Sequence, residues 1–119
     1  MKIQLFLSKL FAARIDYHIM HLQTELFAKH LALDDLYKNI VEYTDRIAET
    51  FQGENGIIKR YSSSITLMPD NSNPVEYTKK LISDCRTFRK STDQEEIKAI
   101  VDELVEFLNN NLYKLKSLS

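Results

Sequence analysis

Turn-forming residues are confined to one stretch of this chain. Among 119 residues there are two glycines and two prolines. Gly53, Gly56 and Pro69 fall in "GENGIIKRYSSSITLMPDNSN", residues 53 to 73, and Pro74 follows directly. An all-β fold reverses direction every ten residues or so, at turns rich in such residues. Composition therefore favours helices. The length allows one domain, residues 1–119, and is too short for two.

Hydrophobic periodicity divides the chain into four helices. Ile3, Phe6, Leu7, Leu10, Phe11 and Ile15 recur at helical spacing, and the pattern runs on to Leu22. A short connection is expected between Gln23 and Lys29. The second stripe is Leu33, Leu36, Tyr37, Ile40, Val41, Thr44, Ile47, Ala48 and Phe51, with Gly53 as the expected C-cap. Residues 53–73 read as a long connection with one short element at Ile57 to Tyr61. Asn73, Pro74 and Glu76 start the third helix, whose stripe is Tyr77, Leu81, Ile82, Cys85 and Phe88. Thr92 and Glu95 form a second capping box, followed by Ile97, Ile100, Val101, Leu104, Val105, Leu108, Leu112 and Leu115. Short links make the first and second helices, and the third and fourth, antiparallel neighbours. The long link between them permits a crossover along the bundle. The expected fold is all-α, a four-helix bundle with one long crossover, which is the ferritin-like arrangement.

Several function classes find no support. Net charge is -1 with acids and bases interspersed, so strong DNA binding is not expected. No stretch approaches the roughly 18 apolar residues of a membrane span. The opening "MKIQLFLSKLFAARI" is interrupted by Lys9 and Arg14 and lacks a small-residue cleavage site, so it reads as the first helix of the mature protein. Cys85 is the sole cysteine; no intrachain disulfide is possible, which fits a reducing, cytoplasmic setting. It lies on a helical stripe and reads as a buried, inert thiol. There is no Gly-rich phosphate loop, no cysteine pair for zinc and no Ser-His-Asp order.

The candidate chemistry is concentrated between residues 18 and 49. All three histidines, His18, His21 and His30, lie within thirteen positions. His18 and His21 share a helical face, about 20° from Phe11 and Leu10 respectively. Tyr17, one turn before His21, belongs either beside this site or in the core. His30 and Asp34 are an i, i+4 pair, and Asp45 and Glu49 are another. Imidazoles and carboxylates at this spacing are a common way for helices to present metal ligands. Asp34 and Asp45 point the same way but lie roughly 16 Å apart along one helix. A single chain cannot bring both to one ion. A two-fold axis near Asn39 and Ile40 can, by setting Asp45 and Glu49 of one copy opposite His30 and Asp34 of another. The competing reading makes these residues a wet helix face and boundary histidines.

The order His18, eleven residues, His30, three residues, Asp34, ten residues, Asp45, three residues, Glu49 resembles the ferroxidase signature of Dps proteins, the mini-ferritins. "DRIAE" also resembles that family's D-x-x-A-E. The resemblance covers residues 10 to 53. It implies a homo-oligomer, at minimum a dimer and in the family a hollow dodecamer, that oxidises Fe(II) to Fe(III) with peroxide or oxygen and stores it. Asp45 and Glu49 of one chain would hold iron facing His30, Asp34 and a helix-1 histidine of its neighbour. That histidine is either His18, which has the family spacing, or His21, whose "HLQT" is similar to the family's local context. The chain is shorter than typical members and lacks the lysine-rich tail some use on DNA. Its size and "H-x-x-H-x-Q-T" look like the small Dps-like proteins of tailed phages. The alternative expectation is a non-enzymatic oligomeric protein, structural or partner-binding, that keeps this fold.

Overall fold

A computed structural model describes residues 1–70 and 72–117. Among these the chain forms four helices and no strand: α1 (Ile3–Gln23), α2 (Phe27–Asn55), α3 (Pro74–Ser91) and α4 (Glu95–Ser117). Residues 24–26 join α1 to α2, and 92–94 join α3 to α4. The all-α expectation holds at this level. Asn73 caps α3 as expected: its Oδ1 accepts from Val75 N at 2.9 Å and Glu76 N at 3.2 Å, with Pro74 behind it. α4 opens with Glu95 and Glu96 and closes with Lys114 and Lys116, each matching the charge of its end of the helix dipole.

Three local expectations need correction. α2 runs through Gly53, and it is Gly56 that caps it, at φ 83° and ψ 176°, with its N–H on Gln52 O at 2.9 Å. The polar run "QGEN" sustains the helix at a solvated end where nothing must be buried. A Cβ at Gly53 would meet nothing, whereas Gly56 occupies backbone space closed to other residues. Gly53→Ala is expected to stabilise by about 0.5–1 kcal/mol and Gly56→Ala to destabilise by about 1–3 kcal/mol; urea denaturation of the two variants checks both signs. Second, Ile57 to Tyr61 forms no regular element. Third, Thr92 makes no capping box: its hydroxyl accepts from Gln94 N at 3.3 Å, and the first turn of α4 is closed from Gln94, whose carbonyl accepts from Lys98 N at 3.1 Å.

The helices pack as a ring in the order α1, α2, α4, α3, so α1 lies diagonally from α4 and α2 from α3. At one end the Ser91 hydroxyl, closing α3, donates to Met1 O at 2.7 Å, and Asn55, closing α2, donates to Gln94 before α4 at 2.9 Å. Near the other end, Asn111 of α4 donates to Asp35 of α2 at 2.9 Å. Hence α1 and α4 run one way, and α2 and α3 the other. The link from α2 to α3 must cover the length of the bundle, and its described residues do so along α1. Gln4 donates to Lys59 O at 3.0 Å, Phe11 meets Tyr61 with ring centroids 6.1 Å apart, and Gln23 donates to Asp70 at 3.1 Å.

The core draws on the expected stripes of all four helices: Phe6, Leu10, Leu36, Ile40, Cys85, Leu104 and Leu108 are fully buried, whereas Leu22, to which the first stripe was expected to run, is 70% exposed. Phe6 stacks on Phe88 at 4.3 Å. Phe11 and Ile15, assigned to this stripe from spacing, are instead 39% and 40% exposed, while Ala12, Ala13 and Asp16 are buried. α1 carries apolar residues on more than one side because the crossover lies over its outer surface.

Candidate functional site

The short 24–26 link sets the last turn of α1 against the first turn of α2, and this juxtaposition brings the histidines together. His21 and His30 stack with ring centroids 3.7 Å apart at 29°. Each ring is tied to the other's backbone: His21 Nδ1 lies 3.0 Å from His30 O, and His30 Nδ1 lies 3.0 Å from His21 O. A carbonyl oxygen can only accept, so each Nδ1 carries a proton and donates. In the neutral ring this leaves the lone pair on Nε2, the tautomer a metal-ligating histidine adopts when its other nitrogen is held by a carbonyl.

Asp34 completes the cluster. Its Oδ1 is 3.9 Å from His21 Nε2 and 3.0 Å from Lys38 Nζ. Lys38 holds the Asp34 carboxyl below its ordinary range, with His21 and the Tyr37 hydroxyl acting in the same direction. His21 is buried, His30 and Asp34 are half-buried, and His18 is exposed. The His18 ring lies flat on Tyr37, at 4.1 Å and 5°, and 6.2 Å from His21. Leu10 is buried with His21, and Phe11 exposed with His18, as the angular relations within α1 require. Within one chain it is His21, rather than His18, that meets His30 and Asp34.

Asp45 and Glu49 are not part of this group. Both are exposed, on the same outward face of α2 as Asp34 and Lys38, and Asp45 is roughly 16 Å along the helix from Asp34. Neither forms an ion pair among the described residues. No three carboxylate, imidazole or thiol groups of the described residues converge closely enough to hold a metal ion. Tyr17 takes the core role: its hydroxyl meets the Thr78 hydroxyl at 2.7 Å, and burial pushes its ionisation well above the ordinary tyrosine value.

Sequence reasoning missed two participants and one whole cluster. Tyr37 and Lys38 follow Asp34 at i+3 and i+4, the spacing at which helical side chains meet, and that signal was available. The cluster is the buried Asp16 of α1 with the half-buried Tyr77 of α3. Its acceptor residue sits beside Tyr17 on an apolar helix, and no spacing rule links it to a tyrosine 61 positions away.

Fold and site together define an all-helical protein whose first two helices present paired imidazoles and carboxylates. Residues 21–115 match a family of unknown function, DUF5856, and the chain belongs to that family. No curated protein and no solved structure matches it. Among the described residues no helix is long and apolar enough to cross a membrane.

Proposed function

We propose that this chain is a ferritin-like, Dps-like homo-oligomer that takes Fe(II) as substrate at a site completed by a second copy. The observation that carries the reading is the doubly clasped histidine pair: two imidazoles with their Nδ1 protons committed to carbonyls, and Nε2 of His21 facing Asp34. The set is half of a metal site, and the complementary half, Asp45 and Glu49, stands exposed on the same face of α2. An antiparallel copy turned about an axis near Asn39 brings the two halves together and sets Lys38 near Glu42 of the second copy. Exposed apolar residues at the α1–α2 corner, Leu22, Leu26, Phe27 and Leu31, favour self-association there. The helix order and single end-to-end crossover fit a ferritin-like bundle. In the reaction, each hydrogen peroxide takes one electron from each of two Fe(II) ions and two protons from solvent, its O–O bond breaks and it leaves as two waters, the carboxylates favouring the Fe(III) product.

The test is an anaerobic Fe(II) titration of metal-free protein, followed by peroxide and then air. Saturable binding of one or two irons per chain, with oxidation faster than in buffer, is the expected result. Binding no greater than in a variant with all three histidines replaced would sink the iron reading. A second reading rests on the Lys38–Asp34 ion pair and the His18–Tyr37 stack, which give these groups partners within the chain. On that reading the cluster is a structural clasp in a non-enzymatic oligomer, and the protein acts through its surface.

A further inference from the structure

Asp16 is a buried carboxylate with no ion-pair partner among the described residues. It is 4% exposed. Its Oδ2 accepts from the Tyr77 hydroxyl at 2.6 Å, and its Oδ1 from Met68 N at 3.0 Å. Both donors are neutral. Burial, reinforced by Asp16, keeps the Tyr77 hydroxyl protonated far above the ordinary tyrosine range. Buried charges are normally matched by an opposite charge. The two lysines near this carboxylate serve Asp84 instead, Lys80 at 2.7 Å and Lys9 at 3.8 Å.

Asp16 lines a pocket of about 600 Å³ between α1, α3 and the crossover. Its walls are largely apolar, with Ala12, Met68, Pro69 and Leu81, and Asp70 adds negative charge at the exposed rim. Asp70 accepts from the Gln23 amide, and among the described residues neither Asp16 nor Asp70 has an ion-pair partner. Volume and lining suit a small molecule. The lining also holds Lys9 and Lys80, both paired with Asp84, and Glu76, so four carboxylates face two ammonium groups and the pocket favours a cation over an anion. A divalent metal ion would find no three converging ligand groups among the described residues.

We propose that this pocket binds a small organic cation, a primary ammonium on a short apolar chain, with its charge against Asp16 and Asp70 and its chain along Ala12, Met68 and Leu81. The site lies on the α3 side of α1, away from the histidines on the α2 side. It stands or falls independently of the iron reading.

Hexylammonium titrated into the full-length protein tests this, with hexan-1-ol and hexanoate as controls and the amide resonances of Met68 and Tyr77 as the readout. Hexylammonium is expected to shift those resonances saturably, hexan-1-ol to bind at least about tenfold more weakly, and hexanoate not to bind. Asp16→Asn keeps the shape, removes the charge, and is expected to weaken hexylammonium by about tenfold or more. If that variant does not fold, Asp70→Asn at the rim is read instead, with a weakening of about threefold and no change for hexan-1-ol. Equal affinity for hexan-1-ol, shifts centred elsewhere, no saturable shift, or unchanged affinity in the folded variant would each overturn the proposal.

Discussion

Replacing both Asp45 and Glu49 with alanine is expected to abolish iron oxidation while leaving the fold intact. Both side chains are exposed and form no ion pair among the described residues, so their loss costs the isolated chain less than about 0.5 kcal/mol. Alanine also favours the helix. If a second copy completes the site, the double variant keeps His21, His30 and Asp34 but lacks the carboxylates opposite them. Catalysed oxidation should then fall to the rate of iron in buffer, with unchanged circular dichroism and thermal midpoint. The structural reading makes a different forecast: the same variant weakens self-association, measured by sedimentation, whether or not iron is present. Oxidation persisting at the wild-type rate would remove these two residues from the chemistry.

Alkaline unfolding is the second large effect, and it follows from three protons that the fold refuses to release. Burial pushes the Cys85 thiol up from 9.0 to about 12. Burial likewise holds the Tyr17 and Tyr77 hydroxyls well above their ordinary 10.0. For each, the unfolded chain loses the proton first, so above its ordinary value the unfolded state binds fewer protons and stability falls as pH rises. The stabilisation is fully present below pH 9.0. Each group then adds a loss of about 1.4 kcal/mol per pH unit while pH lies between its unfolded and folded values. Urea denaturation at a series of pH values from neutral upward should give a steepening decline that ends in cooperative unfolding near the top of the range. Tyr17→Phe removes one of the three protons, leaves Thr78 its bond to Pro74 O at 2.8 Å, and should flatten the decline. An unchanged slope would mean that Tyr17 ionises in the folded protein. Asp34 acts with the opposite sign: its contribution is present above 3.8, is lost as pH falls below that value, and is small because solvent reaches this half-buried group and screens its ion pair.

Much of the helical framework was legible because each stripe of apolar residues had a partner stripe to bury it. Leu36, Ile40, Leu104 and Leu108 repeat at helical spacing and are all buried. The misassignment of Phe11 and Ile15 has the converse cause. They face away from the other helices, and Phe11 meets Tyr61 of the irregular crossover, which has no periodicity of its own to announce it. At the site, spacing paired His30 with Asp34 but left the helix-1 histidine open between His18 and His21; the three-residue link, which fixes how the two helix ends meet, puts His21 against His30. Spacing did not reveal that each imidazole grips the opposite backbone, since a carbonyl has no residue identity to read. Nor did it find Asp16, whose partners Met68 and Tyr77 arrive from the crossover and α3.

The path taken by residues 56–73 has a consequence for what the chain tolerates in length. α1, with 21 residues, is about 31 Å long. The eighteen residues that link α2 to α3 could reach about 60 Å if fully extended. The segment therefore carries slack of nearly twofold. Between Ser62 and Leu67 it is exposed throughout. Doubling the length of a flexible loop costs only about 0.6 kcal/mol. Insertions there should cost little, and deletions should be harmless until the slack is spent and then abruptly ruinous. The molecule behaves as two helical hairpins on a leash: foreign sequence can be spliced into the leash, while the three-residue links at 24–26 and 92–94 offer no such room.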